Sequence, residues 1–294
     1  LLIARLIADK ADLLTRIEAV KAELAPEAMP IEASATPLGD RVLVEISALD
    51  GNLPLLRQVI DAHFAPADML IAKDEVRVPR LFISDMDSTM IGQECIDELA
   101  DFAGIKPQIA EITERAMQGE LDFNAALIER VNLMAGLGEG AIQQCLDQRI
   151  RPNPGARILV ETLKAKGCRT VLVTGGFHHF ADPVADQIGF DRAVGNRLEV
   201  SEGKLTGGLI GEICNSKTKK QVHDAELGAL PAGSASMAAG DGANDIPMLQ
   251  AATYGIAYYA KPKAREVANG VVEAGDLSSL LLLLGIPQSE WVTG

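Results

Sequence analysis

The chain has 294 residues, 48% hydrophobic and 23% charged, with a formal net charge of −14. That length suits two domains, and the composition is that of a globular protein, which excludes dominant disorder. The acidic balance excludes a broad nucleic-acid footprint, which needs clustered positive charge, but not a small phosphorylated ligand held by one or two cations.

Leu1–Ala8 is apolar, interrupted only by Arg5. It has no basic leader or small-residue cleavage site, so a buried strand is expected rather than a targeting segment. Lys10–Leu24 is predicted helical, with Leu13, Leu14, Ile17, Val20 and Leu24 at helical spacing, Asp9 as cap and Pro26 as stop. Two strands, Ile31–Thr36 and Arg41–Ile46, are expected around the turn signal Pro37-Leu38-Gly39-Asp40. A second helix, Leu53–Phe64, turns Leu56, Val59, Ile60 and Phe64 inward, and a fourth strand begins at Asp68–Ala72. The order βαββαβ predicts a ferredoxin-like α+β domain over residues 1–78. By order alone it resembles the ACT-like regulatory domains of amino-acid metabolism. The alternatives are an amino-acid sensor and a plain homodimerisation or packing domain.

From residue 79 the pattern changes. Short apolar strands at Leu81–Ser84, Arg169–Val173, Ser236–Ala239 and Tyr254–Ala257 alternate with helical stretches. This predicts an α/β domain over 79–294 with a Rossmann-like parallel sheet, whose ligands sit beyond the carboxyl ends of the strands. Residues 93–149 read as helical throughout and are too long for one crossover, so an inserted helical cap is expected. Leu280–Leu284 reads as a buried C-terminal helix, far short of the roughly 20 apolar residues of a membrane span. Cys95, Cys145, Cys168 and Cys214 form no CxxC pair, which is expected of reduced, packed thiols in a cytoplasmic protein.

The chemistry concentrates after the strands. Asp85-Met86-Asp87-Ser88-Thr89 follows the first of them and sets two carboxylates side by side. Their repulsion is relieved by a hard divalent cation such as Mg²⁺, although a capped turn has the same letters. Thr174-Gly175-Gly176 follows the second strand and offers a hydroxyl and free N–H groups to an anion, or makes a plain turn. In Asn215-Ser216-Lys217-Thr218-Lys219-Lys220 any lysine is able to neutralise a phosphate. Gly240-Asp241-Gly242-Ala243-Asn244-Asp245 follows the third strand with two acids and an amide on a glycine loop.

In that order these elements resemble the haloacid dehalogenase superfamily, over about residues 79–274, and within it the phosphoserine phosphatases. The resemblance implies hydrolysis of O-phosphoserine to serine and phosphate, the last step of serine biosynthesis, through an aspartyl-phosphate. It implies Asp85 as nucleophile, Asp87 as general acid and base, and Mg²⁺ on Asp85, Asp241 and the Asp87 carbonyl. Thr174, Gly175, Lys217 and Asn244 would bind phosphate or ligand, and Asp245 would orient the lysine or the metal waters. Lys217 fits by its Lys-x-Lys context, while one extra residue before Asp241 leaves Lys219 open. Glu94, nine residues after Asp85, falls where the family meets the substrate ammonium, and Arg130 where it pairs the carboxylate. Met117 and Phe123 match the apolar lid. Thr174 stands where serine is usual, and His178 and His179 follow the glycine loop where the family needs no histidine, so they are expected to be surface or packing residues rather than metal ligands. The alternatives are a phosphatase or phosphotransferase of the same superfamily acting on another small metabolite, and an amino-acid-sensing binding protein with an inactive enzyme domain. Neither a nucleic acid nor a membrane is expected as partner.

Overall fold

The computed structural model describes residues 1–117 and 120–293, the side chain of Met117 excepted. The first lobe runs β1 (Leu2–Asp9), α1 (Leu13–Leu24), β2 (Glu32–Leu38), β3 (Arg41–Ala48), α2 (Leu53–Phe64) and β4 (Asp68–Ala72). Its strands lie in the order β2-β3-β1-β4, all antiparallel. This is the ferredoxin-like arrangement that the element order predicts. Asn52 caps α2, its Oδ1 accepting from Leu55 N at 3.2 Å. At α1 the cap differs from expectation. Asp9 stays in β1, paired with Arg41, and the helix starts only after Asp12, whose φ is +52°.

The second lobe starts with β5 (Leu81–Ser84), followed by four helices, α3 (Cys95–Phe102), α4 (Lys106–Met117), α5 (Phe123–Asn132) and α6 (Gly140–Arg149). Then come α7 (Ala156–Ala165), β6 (Arg169–Phe177), α8 (His178–Ile188) and a hairpin of β7 (Arg192–Ser201) and β8 (Lys204–Ile210). The rest is α9 (Ser216–Gly228), β9 (Ser236–Gly240), α10 (Ile246–Ala251), β10 (Tyr254–Tyr258), α11 (Pro262–Val267), β11 (Gly270–Val272) and α12 (Ser279–Leu283). Strands β11, β10, β9, β5, β6 and β7 lie side by side and parallel, with β9, β5 and β6 at the centre. On β5, Leu81 and Ile83 enter one hydrophobic cluster and Phe82 the other. Burial on both faces explains why the strand reads as a continuous apolar run.

The β7–β8 hairpin goes beyond the sequence expectations, because its apolar alternation is weak. Its turn, Glu202-Gly203, has φ of +50° and +71°, the left-handed pair of a type I′ two-residue hairpin.

The two lobes share one sheet. Among the described residues it has eleven strands, and β4 joins it to β11 through Leu70↔Gly270 and Met69↔Val271. Helices α1 and α2 cover one face of β1, burying Leu2, Ala4, Leu6 and Ala8, while Ile3 and Ile7 pack in the cluster that holds Leu280, Leu281 and Leu283 of α12. The C-terminal leucine run is thus the second cover of the N-terminal sheet. Polar links fasten the same junction. Asp68 Oδ1 accepts from the N–H groups of Glu273, Ala274 and Gly275 at 3.0, 2.9 and 3.1 Å. Arg265 grips Asp61 of α2 through both terminal nitrogens, at 3.1 and 3.2 Å. No helix among the described residues is long and apolar enough to cross a membrane.

Candidate active site

Since β5 lies between β9 and β6, the loops after these three strands converge at one end of the sheet. Asp85 stands at the centre, 4% exposed, its N–H donating to Ala239 O at 2.9 Å. One carboxylate oxygen, Oδ1, accepts from Met86 N at 2.7 Å and the other, Oδ2, lies 2.7 Å from Lys219 Nζ. The same ammonium donates to Asp245 Oδ1 at 2.7 Å, and Asp245 Oδ2 accepts from Gly242 N at 3.1 Å. Gly240 permits this closeness, because a Cβ there would collide with the Asp245 carboxyl.

Lys219, fully buried, therefore holds the place expected of Lys217. Lys217 is exposed in the first turn of α9, where its N–H donates to the capping Asn215 Oδ1 at 3.0 Å. The reason is helical phase. Two residues along a helix turn the side chain to the opposite side, and Lys219 shares the inward face with His223, four residues on and 1% exposed.

Carboxylate oxygens of Asp85, Asp241 and Asp245 lie within 4.8 Å of one another. Burial holds the Asp85 carboxyl well above the ordinary carboxylate range, Asp245 pushes it further, and Lys219 pulls it back. Asp241 is also raised by burial, against the pull of Lys261, whose Nζ is 3.6 Å from its Oδ2. Burial works against the Lys219 ammonium, yet Asp245 and Asp85 outweigh it and its pKa rises. Asp85 and Asp245 are each engaged on both oxygens, yet the three buried carboxylates still crowd negative charge into one place. Hard oxygen donors in this state fit a small divalent cation.

Asp87 is lifted to about 7, first by burial and then by the charge of Glu94, with Cys95 N at 3.4 Å from its Oδ1. A carboxyl near that value exchanges a proton readily at neutral pH. Across the cleft, Thr174 is 1% exposed, its Oγ1 accepting from Gly176 N at 2.9 Å. Gly175 is fixed from behind by Asn196, whose Nδ2 donates to Gly175 O at 2.7 Å and whose Oδ1 accepts from Cys214 N at 2.8 Å. Asn196 lies on β7, and sequence reasoning misses it together with that strand.

Asp85, Asp87, Asp241, Thr174 and Gly175 line a cleft of 230 Å³, together with Glu94, Arg130, Asn244, Phe123 and Lys261, while Lys219 and Asp245 are buried beneath Asp85. Glu94 precedes α3, and Arg130 lies on α5 with its Nε donating to Ala126 O at 3.2 Å. Burial lowers the Arg130 guanidinium, with Asp97 and Glu94 opposing. Phe123, 38% exposed, covers Gly175, where an added Cβ would sit 3.0 Å from its Cζ. Met117, expected beside it, lies outside the described residues as regards its side chain. Both histidines sit apart from the cleft lining: His178 Nδ1 is 2.8 Å from Asp182 Oδ1, and His179 Nε2 is 3.8 Å from Glu139 Oε1.

A family model of haloacid dehalogenase-like hydrolases matches residues 82–250, and a second of the same description matches 232–279. A phosphoserine phosphatase of Albidiferax ferrireducens is 42% identical over 212 residues, 69% of this chain and 89% of the relative. A solved haloacid dehalogenase family hydrolase of Salmonella enterica serovar Typhi superposes with a TM-score of 0.83 at 27% identity, over 97% of this chain and 99% of that one. A probable phosphoserine phosphatase of Vibrio cholerae, solved without ligand, gives 0.75 at 28% identity, over 98% and 88%.

Proposed function

As the chain belongs to the haloacid dehalogenase-like hydrolases, we propose that it is a phosphoserine phosphatase that hydrolyses O-phosphoserine to serine and phosphate. The observation that carries the substrate is the cleft itself. The Glu94 carboxylate and the Arg130 guanidinium share it with Asp85 and the Thr174-Gly175 stretch of β6. A phosphorylated amino acid has three charged groups, and these are their three counterparts.

Asp85 attacks phosphorus in line, an Asp85–phosphorus bond forms, and the bond from phosphorus to the serine oxygen breaks. Asp87, whose pKa near 7 makes a protonated form available at neutral pH, gives that proton to the departing oxygen. In the second half Asp87 takes a proton from water as the water oxygen attacks phosphorus, and phosphate leaves with Asp85 restored. Thr174 Oγ1, the Gly175 N–H and Lys219 hold the phosphoryl oxygens over which charge spreads, and Asn244 binds the ligand beside them. Asp245 orients Lys219. The Asp85 and Asp241 carboxylates and the Asp87 carbonyl would hold Mg²⁺, which when bound supplies positive charge between substrate and carboxylates. Phe123 and the helices of residues 93–149 exclude water while serine leaves.

The lobe of residues 1–78 is read as an ACT-like regulatory or dimerisation lobe, supported by its element order and by β2, whose outer edge ends the sheet. Four buried free cysteines fit a reducing cytoplasm.

A phosphate-release screen over phosphorylated metabolites tests the substrate. Phosphoserine should lead it, and release should stop when Mg²⁺ is chelated. Faster release from a phosphate ester lacking either the ammonium or the carboxylate overturns the assignment. Arg130→Ala tests the recognition. The value of kcat/KM for phosphoserine should fall roughly 10²-fold, the scale of a lost charge-assisted pair, while an aryl phosphate changes far less. Equal losses on both substrates would remove Arg130 from carboxylate recognition.

A further inference from the structure

Glu94 lines the cleft but nothing in its own helix holds it there. It is exposed at the N-cap of α3, and its side chain makes no capping bond. It also stands close enough to Asp87 and Asp241 for its charge to raise both. Like charges and an exposed, flexible side chain both favour swinging out into water. The Arg130 guanidinium across the cleft draws Glu94 inward through space, and the hydrogen bond that fixes it comes from Ser88 Oγ, 2.7 Å from Glu94 Oε1.

The backbone is bent to make that contact. Ser88 has φ of +52°, a left-handed conformation that a non-glycine residue adopts at a cost. Its N–H donates to Gln93 O at 3.2 Å, and the N–H groups of Thr89, Met90 and Ile91 all turn onto Met86 O, at 3.3, 2.9 and 3.1 Å. This tight loop brings residue 88 against residue 94. Ser88 is not itself among the residues lining the cleft.

We propose that Ser88 is a positioning residue for substrate selection: its hydroxyl holds the Glu94 carboxylate toward the cleft, where it meets the substrate ammonium. This rests on the reading of Glu94 given above. Ser88 touches neither phosphorus nor the nucleophile, so it acts on which phosphate ester is chosen and not on how the ester is cleaved.

The test is a double-mutant cycle of Ser88→Ala and Glu94→Gln, with kcat and KM measured on phosphoserine and on an aryl phosphate. Ser88→Ala should lower the preference for phosphoserine about 10-fold, chiefly through KM, the scale of one hydrogen bond to a charged group. Added to Glu94→Gln it should lower the preference by less than about 2-fold, because coupled residues are not additive. Ser88→Gly, which lacks the hydroxyl but tolerates the backbone, should match Ser88→Ala. Multiplying effects in the double variant, equal kcat losses on both substrates, or a full preference in Ser88→Gly would each overturn the role of Ser88. An unchanged preference in Glu94→Gln alone would overturn the reading of Glu94, and the role of Ser88 with it.

Discussion

Replacing Asp85 by Asn should abolish hydrolysis of phosphoserine and of aryl phosphates alike, by on the order of 10⁴-fold or more, the scale seen when a catalytic nucleophile is removed. An amide has nearly the shape of a carboxylate, so the loss is chemical. Its oxygen can still accept from Met86 N, and Lys219 keeps Asp245 as a partner at 2.7 Å. The fold should therefore survive, but the amide has no anionic oxygen with which to attack phosphorus. The check is an acid quench of enzyme mixed with phosphorus-labelled phosphoserine. The parent should carry label on protein and the variant none. Because a deamidated Asn regenerates Asp, the variant's mass must be confirmed after the assay. Full turnover in a confirmed Asp85→Asn protein would end the covalent mechanism. The common loss on both substrates also sets this variant apart from Arg130→Ala, whose effect should follow the substrate.

Lys219→Ala should be the most destabilising single change at the site. The ammonium is wholly buried, 2.7 Å from each of two buried carboxylates. Removing it leaves Asp85 and Asp245 facing one another without a counter-charge, a loss of about 3–5 kcal/mol. For a chain of this size that lowers the unfolding midpoint by roughly 10 °C. Lys217→Ala, on the solvent side of the same helix turn, should stay within about 0.5 kcal/mol of the parent. Thermal unfolding of the three proteins in a chelator reads the difference directly. Added Mg²⁺ should narrow the gap, because a cation near Asp85 and Asp241 offsets part of the missing charge. Equal midpoints for the two lysine variants would mean that Lys219 is not the internal counter-ion.

Much of this is legible in the residues. Strand β5 and helix α2 lie where their apolar spacing places them, at Leu81–Ser84 and Leu53–Phe64. The acid strings after β5 and β9 announce themselves because each follows a short buried strand, and a parallel sheet exposes its chemistry at strand ends. Asn196 and the β7–β8 hairpin are not legible. A hairpin paired on one edge carries little apolar pattern, and the hydrogen bond from Asn196 to Gly175 spans 21 residues that no local rule connects.

What the sequence determined by itself is the order of elements and the position of Asp85, Asp87 and Asp241 just beyond strand ends, since these depend on spacing along one segment. Thr174, expected to follow a strand, lies within β6, which continues to Phe177. Tertiary structure alone decided that Lys219 and not Lys217 meets Asp85, that β4 and β11 fuse the lobes into one sheet, and that α12 covers the far face of β1. Spacing records which side chains share a face. Which face turns inward, and what it meets there, is set by segments distant in the chain competing to bury the same surface.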